Sequence, residues 1–107
     1  MGDATQRQRL PNRRQRETVA VDYRGRQFVA GISRFPDGRL AEIFISTAKS
    51  GEDMQAIARD AAVTASLALQ FGCPLDTLRA ALTRDGQSEA SGPLGALLDQ
   101  IATADPE

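Results

Sequence analysis

Arginine dominates the side chains of this sequence that can do chemistry. Twelve of its 13 basic residues are Arg, with Lys49 the exception. A guanidinium offers a planar fork of donors that fits phosphate or carboxylate two bonds at a time, so the first chemistry on offer is anion recognition. Arg7, Arg9, Arg13, Arg14 and Arg16 crowd into one short stretch, and Arg24 and Arg26 follow around a glycine. These seven form the candidate surface for nucleic acid or an acidic partner. If the first five each neutralised a phosphate, log K against log[salt] would slope by roughly −4 to −5. A second candidate is Lys49-Ser50-Gly51, which stands just before a helical pattern and would bring an ammonium and free N–H groups to an anion or nucleotide. The glycine spacing of a P-loop is absent, and a plain loop with a helix cap is the competing reading. A third lies in Ala68, Gly72, Leu78 and Ala81, which fall at helix-turn-helix spacing. Thr77, Arg79 and Arg84 would then sit on a recognition helix. Asp76 among them thins that surface, and Gly72-Cys73-Pro74 serves equally as a turn between two core helices.

Other chemistries are excluded by residues the sequence does not contain. With no His and one Cys, there is no Cys/His zinc site, no Ser-His-Asp or Cys-His arrangement and no intramolecular disulfide. Cys73 has no base to activate it and reads as a small buried hydrophobe. Glu42 and Asp60 do not form a placeable acid–base pair. The expectation is therefore no catalytic residue, no metal and no cofactor. One unpaired Cys, a start without an apolar leader core and no long apolar run are read as a cytoplasmic protein without a membrane partner. The net charge of −1 conceals an asymmetry: residues 1–39 hold nine Arg against four acids, and residues 40–107 hold four basic groups against ten acids. That polarity favours a binding role, with a macromolecular partner, a nucleotide or a second copy of the chain as candidate ligands.

The elements that must carry these groups are legible from periodicity. The length of 107 residues is that of one domain. Residues 1–16 contain almost nothing apolar and read as a flexible arm. Val19, Val21 and Tyr23 alternate as a strand up to the tight turn Arg24-Gly25-Arg26. Phe28, Ala30 and Ile32 form a second, with Gly31 on its other face inviting a bulge or a close approach. Phe35-Pro36-Asp37-Gly38 is turn chemistry, and Ala41, Ile43 and Ile45 alternate with Glu42 and Phe44 in a third strand whose two faces are both at least partly covered. Met54, Ile57, Ala58, Ala61, Ala62, Ala65, Ala68 and Leu69 recur at helical intervals to a stop at Phe71-Gly72. Leu75, Leu78, Ala81 and Leu82 make a shorter helix after Pro74. Residues 85–92 form a polar connector, and Pro93 opens a third helix with Leu94, Leu97, Leu98 and Ile101 inward. The fold class is α+β: a three-stranded antiparallel meander followed by two or three helices packed on one face. The domain spans 17–103 and residues 104–107 fray.

The run Ala41-Glu42-Ile43-Phe44-Ile45-Ser46, the Lys49-Ser50-Gly51 loop and Leu67 to Leu78 (LALQFGCPLDTL) together resemble the TSCPD domain family. Such domains occur at the C-terminus of cobalamin-dependent ribonucleotide reductases and as small free-standing proteins. The resemblance runs from about Arg34 to Ile101. The family's Thr-Ser-Cys-Pro-Asp signature falls on Ala90-Ser91-Gly92-Pro93-Leu94, where its Cys position holds Gly92 and its Asp position Leu94. What the resemblance implies is a non-catalytic accessory or binding domain related to a reductase appendage. The alternatives are a small DNA-binding protein using the arm and the helix pair, or a subunit-type role in ribonucleoside-diphosphate reductase activity.

Overall fold

The computed structural model describes residues 6–12, 14–47 and 52–104. Three strands, β1 (Glu17–Tyr23), β2 (Arg26–Arg34) and β3 (Leu40–Thr47), form one antiparallel sheet in the order β1-β2-β3. They are followed by α1 (Glu52–Gln70), α2 (Leu75–Ala81) and α3 (Pro93–Ala104). This is the α+β meander-then-helices order expected from the pattern.

Local chemistry sets the corners. Arg24 and Gly25 both take positive φ, 52° and 80°, which is the two-residue turn whose twist matches a right-handed hairpin. In the second turn Gly38 N–H reaches Phe35 C=O at 2.9 Å, and Asp37 accepts the N–H of Arg39 at 3.0 Å. The register then slips: Ser33 faces Glu42 but Arg34 faces Leu40, leaving Ala41 as the extra residue of a bulge. The irregularity is thus at Ala41, not at Gly31. Gly31 instead takes a close approach, since a Cβ there would come within 2.9 Å of the Arg16 side chain. Helix α1 ends where Gly72, at φ 102°, bends the chain so that Gly72 N–H bonds Leu69 C=O and Cys73 N–H bonds Ala68 C=O. Pro74 caps α2 from outside, with extended backbone, and Ala81 is exposed because the helix stops there.

One face of the sheet is buried under helices. Val21, Phe28, Ala30, Ile32, Ile43 and Ile45 meet Ala58, Ala62, Ala65 and Leu69 of α1 and Leu97, Leu98 and Ile101 of α3. Alanine on α1 lets the helix lie close to β3, close enough for polar side chains to reach the strand's open edge. Ser66 Oγ accepts the N–H of Ile43 at 2.8 Å and lies 3.2 Å from its C=O, and Gln70 Nε2 donates to Ala41 C=O at 3.0 Å. On the far edge Gln100 Nε2 donates to Ala20 C=O of β1 at 2.9 Å. Helix side chains therefore stand in for missing neighbour strands on both edges, a device that blocks sheet extension.

The described part of the arm lies against the body through polar contacts. Gln8 N–H donates to Gln70 C=O at 2.8 Å, Arg7 Nε donates to Gln70 Oε1, and Gln8 Oε1 accepts from Arg39 at 3.0 Å. Arg14 grips Glu42 with two bonds of 2.8 and 2.9 Å, and Arg16 lies 4.2 Å over the Phe44 ring. Glu42 and Phe44 point away from the helices, so the arm covers part of the second sheet face.

Ser66→Ala takes one hydroxyl from two buried backbone groups at once. Urea unfolding should show a loss of about 1–3 kcal/mol. Thr64→Ala, which removes an exposed hydroxyl bonded to Asp60 C=O within the same helix, should change stability by less than about 0.5 kcal/mol. Equal losses would mean that edge pairing contributes nothing.

Candidate functional site

The basic candidates divide by whether a carboxylate already holds them. Arg14 is half-buried on Glu42, and Arg24 lies 5.2 Å over Tyr23 and 3.8 Å from Asp85. Arg34 and Arg39, which extend the basic half, pair with Glu17 at 3.2 Å and Asp37 at 2.7 Å. Arg7 bonds an amide, Arg16 a ring, and Arg9 and Arg26 are exposed with no ion pair among the described residues. Arg13 and the loop Lys49, Ser50 and Gly51 lie outside the described residues. Among the described residues the uncancelled positive charge of this half therefore concentrates on Arg7, Arg9 and Arg16 of the arm and on Arg26 at the hairpin.

The three recognition-helix candidates have different surroundings. Thr77 is exposed, but Arg79 and Arg84 turn back onto Asp99 of α3. Arg84 bonds both carboxylate oxygens at 2.8 Å and Arg79 Nε bonds one at 3.0 Å. These charge-assisted bonds, Arg84's first and Arg79's second, bring the Asp99 carboxyl down to about 2. Both forks are thus committed to tying α2 and the following loop onto α3. That loop is itself organised: Asp85 accepts the N–H groups of Gln87 and Glu89 at 2.8 and 3.0 Å, and Arg84 bridges to Ala90. Sequence spacing did not show this triad, because Asp99 belongs to a different helix from both arginines. At the signature stretch, a Cβ on Gly92 would meet nothing within 4 Å, so space alone does not demand glycine there.

The surface missed by motif reading is the solvent side of α1. Leu67 and, one residue past the helix end, Phe71 are 39% and 44% exposed opposite the alanine stripe, and Ile57 and Val63, 65% and 47% exposed, flank them on either side, Val63 toward β3. Exposed apolar groups of this size are unusual on a surface with no partner. The signal was in the sequence: α1 is apolar on more than the one stripe needed for its core contact. Cys73 is half-buried with its Sγ 3.6 Å from Pro74 C=O. Among the described residues no three His, Cys, Asp or Glu side chains gather at metal-binding spacing, and no helix is long and apolar enough to cross a membrane.

A family model described as "TSCPD domain" matches residues 5–104. The vitamin B12-dependent ribonucleotide reductase of Agrobacterium fabrum is 38% identical over 78 residues, covering 73% of this chain and 6% of that protein. Its namesakes from Bradyrhizobium diazoefficiens and Rhodopirellula baltica are 34% and 35% identical over 89 and 72 residues, covering 83% and 67% of this chain and 7% of each of those proteins. The chain thus spans only a small fraction of the length of the curated relatives it matches. No solved structure matches.

Asp99 titrates at about 2 when folded, against about 3.9 for an unfolded Asp. Its contribution to stability is therefore fully present above about pH 4 and is lost as pH falls toward about 2. Asp99→Asn should cost about 1–2 kcal/mol at neutral pH, after discounting for partial exposure, and should flatten this acid limb in denaturant titrations. A variant that lost as much at about pH 2.5 as at neutral pH would show that the carboxylate's charge is not what the triad contributes.

Proposed function

Because this chain belongs to the TSCPD domain family, we propose that it is an accessory binding domain of the ribonucleotide-reductase type, without catalytic residues of its own, docking on a protein partner through the solvent side of α1. The observation that carries this reading is the exposure of Ile57, Val63, Leu67 and Phe71 along that helix. A domain with an already complete core has no internal use for four more large apolar side chains, whereas a partner surface that covers them gains roughly 25 cal/mol per Å². The matched relatives support the class of partner. All but a small fraction of each lies outside the match, so the shared segment reads as a module that joins such an enzyme to something or positions it. A cytoplasmic setting accords with a single unpaired Cys73.

A polyanion, nucleotide or nucleic acid is the second reading, favoured by Arg7, Arg9 and Arg16, whose charges no described carboxylate cancels. The helix-pair form of DNA binding gains no such support, since Arg79 and Arg84 would have to leave Asp99 first.

The Agrobacterium fabrum reductase lacking its matching segment should bind the fluorescently labelled chain in trans. The double variant Leu67→Asp, Phe71→Asp should weaken that binding at least about tenfold while leaving unfolding within about 0.5 kcal/mol. No binding, or equal binding by the variant, would remove the α1 reading. For the polyanion, anisotropy with a single-stranded oligonucleotide and with ATP should show salt-sensitive binding whose log–log slope for the oligonucleotide is about −2 to −3. It should vanish when Arg7, Arg9 and Arg16 are all changed to Gln. A flat titration at low salt would dispose of it.

A further inference from the structure

We infer that the gap in the edge capping of β3 at Ile45 is a docking slot for an extended, acidic peptide segment, which adds one short stretch of strand there.

Along α1, Gln55, Arg59, Ser66 and Gln70 recur at intervals of four, seven and four, so they share the helix side that runs beside β3. Ser66 and Gln70 close the strand edge at Ile43 and Ala41. In an antiparallel ladder, N–H and C=O groups of alternate residues point to opposite sides. Ile43 turns its pair outward to Ser66, so Ile45, two residues on, turns its own pair outward as well. Beside Ile45 the helix presents Ala62, whose methyl can neither donate nor accept a hydrogen bond. The result is a groove of about 410 Å³ lined by Ile43, Phe44, Ile45, Arg59, Ala62 and Val63 among others, within the size range of clefts that take small ligands.

Charge selects the occupant. The groove lining holds Arg59 and no carboxylate, and Arg59 has no ion pair among the described residues. Arg16, stacked on Phe44 and lying against Gly31 on the far sheet face, adds a second positive charge behind the groove wall without lining it. Among the described side chains the nearest acids are turned elsewhere: Glu42 is held by Arg14, and Asp60 lies toward the solvent side of α1. A peptide whose backbone exchanges hydrogen bonds with Ile45, whose apolar side chain enters between Val63 and Phe44, and whose carboxylate meets Arg59 matches the open backbone pair, the apolar walls and the cation of the slot. Ser66 and Gln70 limit the added strand to a few residues, because beyond Ile43 the edge is already taken. This selects a short linear segment over a whole fourth strand or a second copy of the sheet.

The test is amide NMR on the full ¹⁵N-labelled chain with three probe peptides: acetyl-VEVDV-amide, its charge-reversed form acetyl-VKVKV-amide, and the acidic peptide N-methylated at its central valine. In the free chain the Ile45 amide should exchange with solvent faster than the Ile43 amide, which Ser66 holds. The acidic peptide should shift Ile45, Ser46 and Ala62 saturably, and the other two peptides should bind at least about tenfold more weakly. Arg59→Glu should weaken the acidic peptide by a similar factor and reverse the charge preference, with Arg59→Gln as the milder variant if the first does not fold. Equal protection of Ile43 and Ile45, equal binding of the lysine or N-methylated peptide, or shifts confined to the arm would each overturn the proposal. Loss of reductase binding in the α1 double variant would leave these shifts untouched, so the two readings fail separately.

Discussion

The short distance between α1 and β3 is the constraint from which the other contacts follow. Ala58, Ala62 and Ala65 remove side-chain bulk from the contact, so the helix settles low enough for Ser66, its one proton shared between Ala62 C=O at 2.8 Å and Ile43 C=O at 3.2 Å, to accept the Ile43 N–H and for Gln70 to reach Ala41. A larger residue at Ala62 would lift the helix and leave the Ile43 edge groups unpaired in a buried place, where each costs about 1–3 kcal/mol. Gln70 then becomes a junction: its amide serves β3 on one side and Arg7 on the other, while its backbone C=O accepts from Gln8. The arm's first docking point thus exists only because the helix ends where it does, at the turn made by Gly72.

Charge is organised by the same economy. Among the described residues Glu42 and Asp99 are themselves shielded acids that draw arginines inward, Glu42 taking Arg14 from the arm and Asp99 taking Arg79 and Arg84 from the α2 region. Partly shielded, bidentate pairs of this kind hold segments in register better than exposed single contacts such as Arg24–Asp85 at 3.8 Å. What they leave over is uncancelled cations on the arm and beside the β3 groove, and exposed apolar side chains on the outer side of α1. The chain belongs to the TSCPD family, and in the matched relatives the segment is a small part of a much longer protein.

Local elements were readable because their causes are local. The alternation of Val19, Val21 and Tyr23, the Arg24-Gly25 turn, the alanine stripe of α1, the Gly72 stop and Pro93 at the start of α3 each depend on residues within a few positions of one another. The candidate site was less legible. Arginine spacing proposed one continuous basic surface, but the pairs Arg14–Glu42 and Arg84–Asp99 join residues 28 and 15 positions apart, and no periodicity connects them. Arg79 and Arg84 looked available for DNA only while Asp99 was counted as part of a distant acidic half. The exposed residues Ile57, Val63, Leu67 and Phe71 were present as letters, yet an apolar residue on a helix reveals its face only once the opposite face is known to fill the core.

By itself, then, the sequence determined the order and kind of the elements, the apolar alternation that gives the sheet a buried face, the absence of histidine and disulfide chemistry, and the resemblance to the TSCPD family. These follow from backbone preference and from side-chain periods of two and 3.6, which act over short stretches. Tertiary structure alone decided the bulge at Ala41, the capping of the β3 edge by Ser66 and Gln70, which arginines are neutralised, and the gap at Ile45. The capping and the neutralised arginines depend on groups from distant parts of the chain arriving within about 3 Å of one another, the bulge and the gap on how strand and helix are set side by side, and hydrogen-bond and ion-pair energies fall too steeply with distance and angle to be read from spacing along a sequence.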